Sequence, residues 1–89
     1  MNKKYDVSFK KSALKELQGL SAKVQQKILD AVQLLALNPY TELLQIKKLK
    51  GADSLFRFRI QDYRVIYEIQ KHQIKIVIIK VGHRKEVYD

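Results

Sequence analysis

The first half of the chain has the hydrophobic periodicity of two amphipathic helices. A first helix is predicted from apolar residues at helical spacing, namely Phe9, Ala13, Leu17 and Leu20. A second helix is predicted from a similar stripe, namely Val24, Ile28, Ala31, Val32 and Leu35. Gly19 suits the end of the first helix and Ser21 the N-cap of the second. Asn38 ends the second helix, because a residue before proline is disfavoured in the helical region. The short link predicts an antiparallel helical hairpin.

The rest of the chain has the pattern of short strands. The predicted strands are Tyr5–Phe9, Ile46–Lys50, Leu55–Ile60, Tyr63–Ile69 and Ile74–Val81. The last of these is mostly apolar, which is typical of a central strand, whereas Tyr5–Phe9 is short and reads as an edge strand. Short turns separate the later strands, so we expect an antiparallel meander. The expected fold is α+β: an N-terminal strand, an antiparallel helical hairpin packed on one face of a small antiparallel sheet, and a short C-terminal tail.

Composition narrows the class of protein. The 89 residues predict a single domain spanning residues 1–89, and 46% apolar with 30% charged residues is typical of a globular chain. Cysteine is absent, so disulfides and thiolate chemistry are excluded. The apolar runs are too short to cross a membrane, and the N-terminus lacks the apolar core of a signal peptide. We therefore expect a cytoplasmic protein with no membrane partner.

The charge points to a polyanionic partner. The net charge is +9, from 18 Lys and Arg against 9 Asp and Glu. It is uneven, at +3 over residues 1–45 and +6 over residues 46–89. Nucleic acid is the commonest cellular polyanion, and phosphate neutralisation supplies most of its non-specific affinity. The alternative is a basic surface that only aids solubility.

Strand alternation predicts where some of this charge lies. Phe56, Phe58 and Ile60 should face the helices. Arg57 and Arg59 must then point to the opposite face, and Arg64 begins the next strand across a tight turn. Clustered guanidinium groups repel one another unless an anion lies between them. We therefore expect an open basic sheet face that binds a polyanion, the alternative being an ordinary solvated face.

Several motifs together resemble a known family. They are YDVSFKKSALKEL, the Asn38-Pro39 stop, KKLKG, LFRFRIQDYRVIYEI and VGHRKEVY. With these motifs the chain resembles a RelE-type toxin of the RelE/ParE superfamily of toxin–antitoxin pairs. The resemblance covers almost the whole chain, and the last three motifs are specific in combination. The fold that it implies agrees with the one predicted from the periodicity.

The resemblance also implies an activity and partners. RelE-type toxins enter the ribosomal A site and cut the mRNA there, by attack of a 2′-OH on the adjacent phosphate. The implied function is therefore that of an endoribonuclease that inhibits translation and needs no metal or other cofactor. The implied partners are the ribosome, mRNA and a cognate RelB-like antitoxin that neutralises the toxin.

The resemblance assigns roles to individual residues. Arg64, in DYRVIY, resembles the arginine that stabilises the phosphate, and Arg84, in VGHRKEVY, resembles a second catalytic arginine that serves as the acid. Tyr88 resembles a C-terminal tyrosine that stacks on a base or orients the nucleophile. Arg59 is a further catalytic candidate. The candidate RNA-binding residues are Lys47, Lys48, Lys50, Arg57 and Lys85.

The general base departs from the family pattern. Arg57 and Arg59 lie where the best-known member has two lysines, and an arginine stays protonated in proteins and therefore hardly serves as a base. His83 is the natural substitute, because imidazole titrates near about pH 6.5. Glu86 is a weaker candidate. By contrast, we interpret Tyr63 and Tyr67 as packing residues and His72 as structural or idle.

Two other functions remain open on the sequence. A ParE-like toxin shares the fold but poisons DNA gyrase, and that branch generally lacks the full set of Arg64, Arg84 and Tyr88. A non-catalytic RNA-binding module would explain the charge but has no evident use for His83 and Tyr88 near the end of the chain. Such a module would show salt-dependent binding without cleavage.

Overall fold

The computed structural model describes residues 4–51 and 53–83. The elements in chain order are β1 (Asp6–Phe9), α1 (Lys11–Gln18), α2 (Ala22–Leu37), β2 (Gln45–Lys48), β3 (Leu55–Ile60), β4 (Tyr63–Gln70) and β5 (Lys75–His83). A single 3₁₀ turn, Lys71–Gln73, joins β4 to β5. Each observed boundary lies within two residues of the one predicted from the periodicity.

The ends of the helices follow the predicted capping residues. The Ser21 hydroxyl accepts a hydrogen bond from the Val24 amide at 3.3 Å, which caps the N-terminus of α2. Asn38 is extended and ends α2, and its side chain accepts a hydrogen bond from the Tyr40 amide at 3.0 Å. Gly19 ends α1 in the right-handed region, so this position does not use the conformational freedom of glycine.

The five strands form one sheet in the order β1-β5-β4-β3-β2. Strands β2 to β5 are the predicted antiparallel meander. β1 is an edge strand as predicted, but it pairs with β5 in parallel, from Asp6 opposite Lys75 to Phe9 opposite Ile78. The sheet is therefore mixed. Its β1–β5 pair joins strands that are far apart in the chain, so no short turn imposes an antiparallel arrangement on them.

The core lies between the two helices and one face of the sheet. Ala13 and Leu17 of α1 pack in one buried cluster with residues of α2 and with Phe58, Val65 and Ile78 of the sheet. Tyr67 is fully buried there, and its hydroxyl donates a hydrogen bond to the Pro39 carbonyl at 2.9 Å. Because side chains alternate along a strand, Arg57 and Arg59 of β3 and Arg64 of β4 lie on the opposite face of the sheet.

One irregularity changes the end of the sheet that carries the candidate site. The register of β4 and β5 shifts between Ile66 and Tyr67, which inserts Ile79 as an extra residue in β5. β1 reaches only to Ile78, and beyond it α1 lies beside β5. There the Glu16 carboxylate accepts hydrogen bonds from the Val81 amide at 3.0 Å and from Lys80 Nζ at 2.9 Å. Helix α1 therefore supports the last residues of β5.

Candidate functional site

Two arginines stand directly opposite each other on the sheet face away from the helices. Arg59 of β3 pairs with Arg64 of β4 in the antiparallel register, across the tight turn at Gln61 and Asp62. Residues opposite each other in such a pair have their side chains on the same face. The prediction that Arg59 and Arg64 lie close together is therefore confirmed. Arg59 is exposed, and Arg64 is half-buried.

A second basic row lies one step further along the same face. It runs from Lys47 of β2 to Arg57 of β3, Ile66 of β4 and Lys80 of β5. Arg57 retains only 9% of its exposure, so the prediction of an open face is wrong at this position. The Nε atoms of Arg57 and Arg64 are both shielded from solvent. We call the face formed by Lys47, Arg57, Arg59 and Arg64 the basic face.

The electrostatics of the basic face favour an anion. Like charges directly opposite in a sheet cost a few tenths to about 1 kcal/mol per pair. Glu68 lies on the same face, further along β4, and its carboxylate accepts a hydrogen bond from the Gln70 amide group at 2.8 Å. A phosphate between Arg59 and Arg64 would remove their repulsion and receive hydrogen bonds from planar guanidinium groups that match its oxygen atoms.

The three candidate lysines of the KKLKG segment do not share one surface. Lys47 is opposite Arg57 and belongs to the basic face, whereas Lys48 is opposite Phe56 and points the other way. Lys48 also lies 3.7 Å from the Asp53 carboxylate, in an exposed ion pair of little energetic weight. Lys50 is exposed in the turn after β2. Lys47 is thus the lysine that the register places with the arginines.

His83 lies on the helix side of the sheet rather than on the basic face. It pairs with Tyr63 in the β4–β5 register, and the two rings meet edge to face with centroids 5.6 Å apart. Both residues line a groove of about 400 Å³ beside Lys15 and Glu16 of α1. The register therefore directs the His83 side chain away from the face that carries Arg59 and Arg64.

The remaining candidates fall into two groups. Arg84, Lys85, Glu86 and Tyr88 lie outside the residues that the structure describes. Tyr67, interpreted from the sequence as a packing residue, is confirmed as one, since it has no exposed surface. Burial raises the pKa of its hydroxyl, with a smaller contribution from Tyr40. His72 is exposed in the turn between β4 and β5.

Glu16 and Lys80 are the residues near the site that the sequence did not reveal. They are 64 positions apart, and neither belongs to a motif that signals the contact. Glu16 has the spacing of a solvated residue on an amphipathic helix. Its role follows from the end of β1 at Phe9, which leaves the Val81 amide without a neighbouring strand on that side.

The described part of the chain contains neither a metal site nor a membrane-spanning helix. Within residues 4–51 and 53–83, no three or more His, Asp or Glu side chains lie together as a metal site would require. No helix in these ranges is long and apolar enough to cross a membrane.

Comparison with known proteins identifies one family over nearly the whole chain. Residues 7–88 match the model of the ParE toxin of the type II toxin–antitoxin system parDE. The chain is also 34% identical over 86 residues to a protein of Methanocaldococcus jannaschii named putative toxin RelE1, covering 96% of each chain.

Solved structures agree with the fold. A chain of the archaeal RelE–RelB complex from Pyrococcus horikoshii OT3 superimposes with a TM-score of 0.81 and 31% identity, covering 98% of this chain and 100% of that one. A chain of the RelB–RelE antitoxin–toxin complex from Methanococcus jannaschii does so with a TM-score of 0.74 and 28% identity, covering 91% of this chain and 94% of that one.

Proposed function

The chain belongs to the ParE toxin family of type II toxin–antitoxin systems and is a RelE-like toxin, and we propose that it inhibits translation by cutting mRNA in the ribosomal A site. It acts in the cytoplasm as an endoribonuclease without a metal. The RelE names of its relatives and the basic face support this activity.

The proposed reaction is an internal transfer at phosphorus. The 2′-oxygen of one nucleotide attacks the adjacent phosphorus, and the bond from phosphorus to the 5′-oxygen of the next nucleotide breaks. The products are a 2′,3′-cyclic phosphate and a 5′-OH end. A base takes the proton of the 2′-OH, and an acid gives a proton to the leaving 5′-oxygen. Negative charge accumulates on the non-bridging phosphate oxygens in between and needs cationic donors.

The observation that supports the proposal most directly is the Arg59–Arg64 pair. Two guanidinium groups on facing strands can each offer paired N–H donors to the non-bridging oxygens of one phosphate. The sheet fixes the backbone positions of both arginines before the substrate arrives, and donors positioned in advance contribute most to catalysis. Arg57 and Lys47 extend the positive charge along the RNA backbone.

Other roles are carried over from the motif. In the proposal Arg84 donates the proton to the leaving oxygen, and Tyr88 stacks on a base or orients the nucleophile. Lys48, Lys50 and Lys85 contact RNA. The general base is unassigned in this proposal, because His83, the candidate from the sequence, lies on the helix side of the sheet, away from Arg59 and Arg64.

We also propose that a RelB-like antitoxin neutralises this chain in the resting cell. Two of the similar structures are complexes of a RelE toxin with a RelB antitoxin, and the matched family model describes a toxin of a type II toxin–antitoxin system. The net charge of +9 favours a partner with acidic segments.

The experiment is cleavage of mRNA on programmed ribosomes, mapped by primer extension, with free mRNA in parallel. The wild type should cut within the A-site codon. Arg64→Ala should lower the rate about 100- to 1,000-fold, as loss of one transition-state donor does. Arg64→Lys should recover only part of it, because a lysine lacks the bidentate geometry. Lys23→Ala, which removes an exposed charge from α2, should retain full activity.

The second candidate is inhibition of DNA gyrase, which the ParE description of the matched family favours. The same preparation should be added to a gyrase supercoiling assay. Inhibited supercoiling with intact mRNA on ribosomes would replace the nuclease proposal. Salt-dependent RNA binding with neither effect would identify a non-catalytic RNA-binding module.

A further inference from the structure

A groove opens at the end of the sheet, between α1 and the last residues of β4 and β5. Its volume is about 400 Å³, within the range of small-molecule sites. Tyr63, Val81 and His83 form the sheet side of the groove, and Lys15 and Leu20 line the helix side. We call it the end groove. An aromatic ring, an imidazole, aliphatic surface and one cationic side chain are the groups with which proteins hold an unstacked nucleobase.

The rings of Tyr63 and His83 are fixed relative to each other. They pair across β4 and β5 and pack edge to face, with 5.6 Å between centroids. Tyr63 also packs against the hydrophobic core, so its ring has little freedom. Both side chains remain half-buried rather than buried, which leaves ring surface at the groove. A rigid aromatic surface loses little conformational entropy when a base stacks on it.

The opposite wall of the end groove is held in place by Glu16. Its carboxylate is engaged by Lys80 Nζ at 2.9 Å and by the Val81 amide at 3.0 Å. These contacts tie α1 to β5 at the groove and balance the negative charge of Glu16. Lys15 therefore adds positive charge to the rim, which suits the phosphate attached to a bound base.

The sheet residues that line the end groove neighbour the proposed phosphate site, both along the chain and in the strand register. Tyr63 precedes Arg64 in β4, and His83 lies one row from the Arg59–Arg64 pair. We propose that a nucleotide flanking the cleaved phosphate turns around the end of the sheet and places its base in the end groove, stacked on Tyr63 and His83. This inference rests on the proposed cleavage of mRNA, and it gives His83 a base-binding role in place of proton transfer.

The two roles of His83 make different demands on the side chain. Proton transfer needs a titratable nitrogen near the 2′-OH, on the side of the sheet where the phosphate lies. Stacking needs only a flat ring in the groove. The register directs His83 away from Arg59 and Arg64, which meets the second demand and not the first.

The test compares His83→Phe with His83→Ala on programmed ribosomes, measuring kcat and KM separately. For stacking, His83→Phe should keep kcat within about threefold and leave the pH profile unchanged, whereas His83→Ala should raise KM about tenfold, within the range of one lost stacking contact. His72→Ala, at an exposed histidine in a turn, is the matched control and should change neither constant. Thermal unfolding of each variant checks that the fold is retained.

A direct binding measurement avoids dependence on cleavage. An RNA with 2-aminopurine beside the cleaved bond and a 2′-deoxy nucleotide at the attacking position can bind but cannot react. Its fluorescence on the ribosome should be quenched by the wild type and by His83→Phe, and less by His83→Ala or Tyr63→Leu.

The outcomes separate the two proposals. A loss of about 100-fold or more in kcat for both His83 variants, with Arg64→Ala also inactive, would overturn the end groove as a base site and establish His83 as the general base. Unchanged kcat, KM and fluorescence in His83→Ala would overturn it as well. Absence of cleavage by the wild type would instead be a failure of the proposed function.

Discussion

Replacing Glu16 tests how the end of β5 is held beside the candidate site. Glu16→Ala removes both acceptors of a carboxylate that bridges α1 and β5, and Glu16→Gln keeps one neutral acceptor for the Val81 amide. The two contacts are 2.9 Å to Lys80 Nζ and 3.0 Å to the Val81 nitrogen.

The size of the effect follows from these contacts and their exposure. Hydrogen bonds to charged groups contribute about 1.5–3 kcal/mol each when well shielded. The side chains of Lys80 and Glu16 retain 41% and 33% of their exposure, so the contact between them contributes less to stability than a shielded one would. We expect Glu16→Ala to lower the free energy of unfolding by about 2–3 kcal/mol. Glu16→Gln should lower it by about 1 kcal/mol, since the Val81 amide keeps a partner.

Urea unfolding monitored by circular dichroism measures both changes. The comparison holds when the free energy of unfolding falls with urea concentration at the same slope in each variant. Glu42→Ala removes an exposed acid from the connector after α2 and is the control, with an expected change within about 0.5 kcal/mol. Equal losses in Glu16→Gln and Glu16→Ala would refute the role of the Val81 amide. A loss below about 0.5 kcal/mol in Glu16→Ala would refute the bridge altogether.

Three further changes test other parts of the fold by the same unfolding assay. Arg59→Gln should raise stability by a few tenths of a kcal/mol at low salt by relieving repulsion with Arg64, and the gain should vanish in about 1 M salt, where screening acts over about 3 Å; a gain that persists at high salt would contradict the electrostatic cause. Tyr67→Phe should cost about 1–2 kcal/mol by leaving the buried Pro39 carbonyl without its donor. Because burial raises the pKa of Tyr67, the native state holds this proton more tightly than the unfolded chain does, so the wild type should lose stability as the pH rises above about 10; Tyr67→Phe should lose less, and equal losses would argue against this residue as the source. Gln61→Gly should raise stability by about 0.5 kcal/mol, because Gln61 has φ 55° in the turn before β4 and glycine adopts that region without strain; a decrease would show that the turn is not strained.

Local periodicity was sufficient to predict most of the architecture. Helical spacing identified α1 and α2, and Ser21 and Asn38 marked the ends of α2 because capping and proline effects act within a few residues. Strand alternation with short turns predicted the β2–β5 meander and put Arg59 next to Arg64. The motifs then led to the toxin family that the comparisons show.

The sequence by itself determined the elements, the meander and the charge of the basic face, because each depends on neighbours along the chain. Tertiary structure decided the parallel pairing of β1 with β5, the burial of Arg57, and the contact of Glu16 with Lys80. It also decided that His83 lies with Tyr63 on the helix side rather than with Arg64. Each of these depends on which distant segments meet, and on a bulge at Ile79 that no local pattern signals. The spacing of residues along the chain therefore does not predict such contacts, which form only when the sheet assembles.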